Sequence, residues 1–399
     1  MSNATKDYGD LRVTMTSAFN WVWNDKGSGA SKNFEAYHPV SQGDLRPLGS
    51  LGFSSYNERN GKFAALLVGK NPSSSGTAAV ASPTGYDLIW RDEKSGGDHD
   101  GSFWRPRAPS GYVSLGDVCS GSWSAPSNDK IWCVRADLVQ NSNHFKAKVW
   151  DDQKSGAKSD CSVWDIGLPS IGINGGEKIP ISSETFRANN SWSEPNNGLA
   201  QVLALPNPKR FTEFTASPPN FTKNNIPKGG DVFNRTDQCE VTLPFTVYFP
   251  PSDATSLRSI NYPFCKLTRK IAWYVHTAHT NNSGGEISDS TTVTKGVSKT
   301  LSEEMSHSAG VSVSASYGIK GFGMDVSLNY QFTSTTSSSF TEYEENSRTQ
   351  GYTVPPYEAT IFLSKRIWIQ ATRADGSIVL KEINFNANDD IHLIGVSLK

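Results

Sequence analysis

Three copies of one short motif, W-x-D-x-x-S-G, constrain this chain more than any other feature. Trp23-Asn-Asp25-Lys-Gly-Ser28-Gly29 returns as Trp90-Arg-Asp92-Glu-Lys-Ser95-Gly96 and again as Trp150-Asp-Asp152-Gln-Lys-Ser155-Gly156. The copies continue at matching offsets with Asn33, Asp100 and Asp160, then with an aromatic at Tyr37, Trp104 and Trp164. Each repeat has room for one small sheet and too little apolar surface to bury a core alone. Three related sheets can bury their inner faces only against one another. The spacing therefore predicts a three-faced β-prism with pseudo-threefold symmetry, with Trp23, Trp90, Trp150 and Trp164 in its core. In the second repeat, Gly111–Asp117 reads as a strand and turn, and Asp129–Arg135 as a partly buried strand.

The rest of the chain is of another kind. Its 399 residues suffice for two domains. A stretch rich in Pro and Asn, from Leu205 to Pro227, reads as a linker, and nine of the eleven tryptophans precede it. The expected domains are a β-prism-like surface-binding domain over 1–205 and a second β domain over 206–399. Abundant Gly, Ser, Thr and Asn favour short strands and many turns. A net charge of −1 supplies no basic field for nucleic acid. Five cysteines form no CxxC pair and no Cys/His cluster, so neither metal nor cofactor is expected. The opening Met-Ser-Asn-Ala-Thr-Lys-Asp has no apolar core, so the expectation is a protein made without a recognisable signal peptide. No run approaches the ~18 apolar residues of a membrane helix, and any crossing of a bilayer must be made by strands.

One segment is suited to that crossing. Val311, Val313, Ala315, Tyr317 and Ile319 alternate with Ser and Gly up to the turn Lys320-Gly321-Phe322-Gly323. Met324, Val326, Leu328, Tyr330 and Phe332 then alternate with Asp325, Ser327, Asn329 and Gln331. Each arm has about the ~9–11 residues of a tilted transmembrane strand. A closed barrel of such hairpins, spanning about 310–332, would set apolar side chains on lipid and small polar ones in a wet lumen. The same alternation describes a hairpin covering a soluble core. The flanks, Thr291 to Ser308 and Thr333 to Thr341, are Ser/Thr-rich and carry no fixed burial pattern, which suits strands that re-pair.

Two resemblances follow from these residues. Trp104-Arg-Pro106, Gly111-Tyr112, Leu115-Gly116 and the run from Asp129 to Leu138 resemble the vacuolar protein sorting-associated protein sixty-two family, over roughly 15–200. That family implies a fold and no mechanism. Pro244-Phe245, the alternating hairpin with its Ser/Thr-rich flanks, and Thr353-Val-Pro355-Pro356 resemble the aerolysin superfamily near its epsilon-toxin and mosquitocidal-toxin branch. This second resemblance implies secretion or release as a soluble monomer, action outside the cell on a target membrane, assembly into a homo-oligomeric ring and insertion of one β-barrel. The expected fold class is all-β: a β-prism-like domain with three repeats plus an elongated aerolysin-type domain.

Other motifs carry less. His276-Thr-Ala-His279 lacks metalloprotease spacing and reads as packing or surface histidines, and no nucleophile elbow or phosphate loop occurs, so no catalysis is expected. The Asp-x-x-Ser-Gly turns have two readings. Asp accepting backbone N–H groups, with Gly at positive φ, would close the same turn three times. Alternatively, Asp25, Asp92 and Asp152, with Asp100, Asp160 and Trp104, would bind glycan hydroxyls and stack a sugar ring. The function expected is a β-pore-forming toxin, with insecticidal action one expectation, whose prism binds a glycan or protein receptor. The alternatives are a sugar-binding module without a pore, and an intracellular trafficking or defence protein.

Overall fold

The computed structural model describes residues 2–399 apart from 170–177, 207–211, 213, 248, 296–345, 374–375 and 387–390. It is all-β, and the chain forms two compact units. The first comprises Met1–Pro208 with Pro244–Pro263; the second takes Lys209–Leu243 and the described chain from Phe264 onward.

Among the described residues the first unit has six strands per repeat. The first repeat holds β1 (Lys6–Tyr8), β2 (Leu11–Thr16), β3 (Phe19–Asn24), β4 (Glu35–Pro39), β5 (Leu51–Phe53) and β6 (Ala65–Lys70). The second holds β7 (Val80–Ala81), β8 (Tyr86–Arg91), β9 (Ser102–Pro106), β10 (Tyr112–Val113), β11 (Val118–Ser120) and β12 (Cys133–Arg135). The third holds β13 (Val139–Asn141), β14 (Phe145–Asp151), β15 (Ser162–Ile166), β16 (Lys178–Ile181), β17 (Phe186–Asn189) and β18 (Gln201–Pro206). Each repeat makes two three-stranded sheets rather than the one expected. The inner sheets are β3-β4-β5, β8-β9-β11 and β14-β15-β17; the outer ones are β1-β2-β6, β7-β12-β10 and β13-β18-β16. In the first repeat the fourth strand shrinks to a bridge between Arg46 and Val68, and β1 adds to the opposite edge. The predicted strand over Asp129–Arg135 covers only Cys133–Arg135, because 129–130 lie exposed in the preceding loop.

A β-bulge interrupts each inner sheet just before its repeat tryptophan, between Trp21 and Trp23, Leu88 and Trp90, and Lys148 and Trp150. The extra residue re-aims the strand and turns the tryptophan inward. Trp23, Trp90 and Trp150 form a triangle with ring centroids 5.7, 5.6 and 6.0 Å apart. All three are buried, with Phe34, Phe103, Val163 and Phe186 around them. The packing departs from symmetry where three bulky rings cannot share one centre: a Cβ on Gly101 would lie 2.5 Å from the Trp23 indole. Trp164 does not join this core. It lies partly buried on the opposite face of β15 with Phe145 and Val202; in their own repeats Trp104 is likewise partly buried and Tyr37 is buried. Strand alternation places the aromatic one residue past the axial position on the other face, between inner and outer sheets.

Three backbone bonds join the repeats head to tail: Asp98 N to Lys26 O, Lys158 N to Glu93 O, and Ser31 N to Gln153 O. Trp23 Nε1 donates to His99 O and Trp90 Nε1 to Ser159 O, while Trp150 Nε1 closes the cycle on Asp25 Oδ2, each at 2.8 Å. Asp117, fully buried, ties the second repeat to the third by accepting from Arg187 Nη1 at 3.0 Å and Ala188 N at 2.8 Å.

The second unit is one sheet of long strands: β19 (Val232–Pro244), β20 (Phe264–Asn281), β21 (Ile287–Lys295), β22 (Asn346–Val354), β23 (Glu358–Arg373), β24 (Ile378–Asn386) and β25 (His392–Ser397). Their order is β19-β20-β23-β24-β21-β22, with β25 also on β23. Trp273, Val275, Ile361 and Leu363 form its core, covered by Phe214, Phe221 and Ile226. The stretch that reads as a linker is thus partly a lid on this sheet, fastened by Trp273 Nε1 donating to Ala216 O at 2.9 Å. Proline and asparagine set its irregular backbone, but its spaced apolar residues give it something to bury.

Candidate functional site

The repeat aspartates face inward. Asp25, Asp92 and Asp152 are each 4% exposed. Their peptide oxygens accept from Ser28, Ser95 and Ser155, and their own N–H groups donate to Phe34, Gly101 and Cys161. Gly29, Gly96 and Gly156 follow at φ +75°, +79° and +71°, the left-handed region that glycine enters without strain. Asp25 Oδ1 accepts from Phe34 N, and Asp152 Oδ1 from Cys161 N, each at 2.8 Å. Burial raises the pKa of both carboxyls, and these hydrogen bonds oppose it. Asp100 and Asp160 are exposed in the turns that lead into β9 and β15. Trp104 is partly buried and its Nε1 donates to Ser102 Oγ at 2.7 Å. The six residues read as one kind of glycan site therefore lie in three settings: buried carboxylates used internally, exposed turn carboxylates, and a tryptophan packed between sheets.

A second set of aromatics, not singled out from the sequence, closes the repeat aspartates from outside. Tyr56 Oη donates to Asp25 Oδ1 at 2.6 Å, Trp123 Nε1 to Asp92 Oδ1 at 2.7 Å, and Trp192 Nε1 to Asp152 Oδ1 at 2.7 Å. The signal was there to find: Ser122-Trp123-Ser124-Ala-Pro126 and Ser191-Trp192-Ser193-Glu-Pro195 share S-W-S-x-P, with Ser55-Tyr56-Asn57 as a weaker third copy. Trp192 lies 40 residues past its aspartate, against 31 for Tyr56 and Trp123, and this hides the period.

In the second unit, β21 and β22 pair without interruption from Ile287 opposite Val354 to Lys295 opposite Asn346. One face is the more buried, with Val293 and Val354 almost inaccessible. The other is exposed and hydroxyl-lined, with Thr292 bonded to Thr349 at 2.8 Å and Thr294 to Ser347 at 2.7 Å. Among the described residues the ladder's strand pairing to the rest of the sheet is one parallel bridge from Lys295 to Asn386; buried Asn386 donates to Thr294 O at 2.6 Å, and Asn281 of β20 donates to Val354 O at 3.0 Å. The residues proposed for membrane insertion, Val311, Val313, Ala315, Tyr317, Ile319, Phe322, Met324, Val326, Leu328, Tyr330 and Phe332, lie outside the described residues. His276 sits at a bulge of β20 with Nε2 2.7 Å from Ser364 Oγ; burial and nearby Arg366 lower its pKa to about 4. His279 Nδ1 contacts Asp289 Oδ2 at 2.9 Å. Both act as packing and tethering groups. No helix among the described residues is long and apolar enough to cross a membrane.

Among solved structures the chain is similar to GNIP1Aa from Chromobacterium piscinae at 25% identity and a TM-score of 0.38, over 47% of this chain and 35% of that one. It thus spans about a third of GNIP1Aa's length. It is also similar to Cry35Ab1, at 7% identity and a TM-score of 0.36, over 98% of this chain and 90% of the other. No curated protein matches it. The family model for vacuolar protein sorting-associated protein 62 matches residues 1–223, all three repeats included. On that match, which takes in more than half of the sequence, the chain belongs to the vacuolar protein sorting-associated protein 62 family.

Proposed function

We propose that this chain is a β-pore-forming toxin whose prism binds a target surface and whose second unit assembles into a ring and inserts a β-hairpin. The observation that carries the reading is the register of β21 on β22. Were it to continue along the sequence from Lys295 opposite Asn346, it would set Val311 opposite Tyr330, Val313 opposite Leu328, Ala315 opposite Val326 and Tyr317 opposite Met324. Ile319 would then fall opposite Phe322, leaving Lys320-Gly321 as a two-residue turn, the commonest hairpin connection. Each of Val311, Val313, Ala315, Tyr317 and Ile319 would thus face an apolar residue of the other arm. The phase is also that of buried Val293 and Val354, while Ser312, Ser314, Asp325 and Asn329 share the phase of the hydroxyl-lined face. One uninterrupted hairpin with a lipid face and a lumen face is what this arithmetic supports.

The test is calcein release from liposomes and from target-cell membranes. A charge on the lipid face costs about 2–4 kcal/mol at the midplane and is repeated in every subunit. Val313→Arg and Leu328→Arg should therefore abolish release with folding unchanged. Ser314→Arg and Asn329→Arg should keep release and change ion selectivity. Lysis that survives the lipid-face arginines removes the hairpin from the membrane. The second reading, a sugar-binding module without a pore, draws on the paired tryptophan loops and predicts binding with no release and no rings by electron microscopy.

A further inference from the structure

Trp123 and Trp192 are left 40% and 43% exposed, and both are built alike. Each indole N–H is used up on a buried repeat aspartate at 2.7 Å. The preceding serine folds back so that its Oγ accepts from the next residue but one: Ser124 N to Ser122 Oγ at 3.2 Å, Ser193 N to Ser191 Oγ at 3.3 Å. That serine's carbonyl accepts in turn from Ser102 or Ser162, the hydroxyls that also hold Trp104 and Trp164. An indole anchored this way cannot turn inward, and it offers a ligand only its carbon face. Capping the aspartate does not require so large an apolar group, since Tyr56 does so in the first repeat with a hydroxyl and is only partly exposed.

We infer that Trp123 and Trp192 are two preorganised platforms for neutral hexopyranose units of a surface glycan. A pyranose has an apolar C–H face bordered by hydroxyls, and each indole is flanked by serine hydroxyls that match that border. A lipid interface would call for further exposed apolar or basic side chains beside each ring. Trp192 instead has a serine on either side and Glu194 two residues past it, and at Trp123 the basic group over the ring, Arg91 at 5.1 Å from its centroid, is already paired with Glu93. The inference rests on the proposal that the prism binds the target surface, and it names the ligand class.

The experiment measures retention of the intact chain on immobilised mannan, galactomannan and chitin, beside binding to phosphatidylcholine vesicles. Retention on at least one polysaccharide is expected. Trp123→Ala or Trp192→Ala should weaken it about tenfold each, the worth of one aromatic contact. The double variant should abolish it, and Trp→Tyr at either site should restore most of it. Failure to bind all three polysaccharides, retention unchanged in the double variant, or tryptophan-dependent binding to vesicles alone would each overturn the inference. The polysaccharide assay contains no membrane and dye release from pure lipid contains no sugar. Sugar binding without release sinks only the pore, and release without sugar binding sinks only the platforms.

Discussion

The prism and the β21–β22 ladder are both antiparallel β-structure, yet they are held by opposite means. In the prism the inner strands have two buried faces to serve, an axial core on one side and a satellite cluster on the other, and the head-to-tail backbone bonds recur around the axis. The ladder has one modestly buried face, small hydroxyl side chains on the other and, among the described residues, a single parallel bridge to its neighbour. Large aromatics fix one geometry because few other packings fill the same space. Paired Thr and Ser hydroxyls fit many registers nearly equally well, so they hold a ladder without committing it. Under the proposed function, rigidity is concentrated where a surface would be recognised, and weak specification where strands would move.

The largest effect expected from breaking this contrast is at the axial triangle. Trp23→Ala should cost about 3–5 kcal/mol of prism stability. Urea unfolding followed by tryptophan emission reads this directly, since nine of the eleven indoles lie in the repeats. A loss below about 1 kcal/mol would mean that the repeats do not depend on a shared core.

Next come the aspartates, which are not equivalent. Both Asp25 oxygens accept hydrogen bonds, from Phe34 and Tyr56 on one and Trp150 on the other. Asp25→Asn must point an amide N–H at a donor and should cost about 1–3 kcal/mol. Asp152 uses only Oδ1 toward Cys161 and Trp192, so Asp152→Asn should cost far less. It should also flatten the pH response. Burial raises the Asp152 pKa, so its contribution is whole below the ordinary carboxylate range and is lost as pH rises through the raised value. Urea midpoints at pH 4 and pH 7.5 should differ less in Asp152→Asn than in the native chain.

Smaller effects belong to the ladder. Asn386→Ala removes the bond to Thr294 O and leaves Ser364 without its acceptor. Amide hydrogen exchange in β21 and β22 should quicken about tenfold while the prism stays unchanged, since local opening there lies at the low end of the stability range. Smallest of all, Thr292→Val with Thr349→Val exchanges one hydroxyl pair for a branched apolar pair and should move stability by no more than about 0.2–1 kcal/mol. A larger change would show that the hydroxyl zipper is a fixed structural element.

Much of the prism was legible in the residues themselves. The W-x-D-x-x-S-G copies give the axial tryptophans, the turn glycines and the threefold relation, because each needs a particular side chain or a positive φ. The outer sheets were not legible: β7 and β10 have two residues each, too few for any alternation to register. The depth of Trp164 was missed because a shared offset says which residues are equivalent without saying which face they take. The platforms at Trp123 and Trp192 were missed because the third loop lies farther along its repeat than the others. In the second unit, texture identified the Ser/Thr-rich strands, whereas the packing of Phe214 and Phe221 depends on partners distant in sequence.

The cycle of bonds from Asp98 to Lys26, Lys158 to Glu93 and Ser31 to Gln153 has a consequence for ancestry. A linear stack of repeats can lengthen or shorten by one, because any end unit meets solvent with a cap. A cycle has no end unit, so losing one copy leaves two unmatched edges and adding one opens the axis around the indoles. Copy number is locked at three while each copy's outer loop stays free to diverge. Closure also makes the starting point arbitrary: a circular permutant beginning at β7 or β13 would keep every one of these bonds.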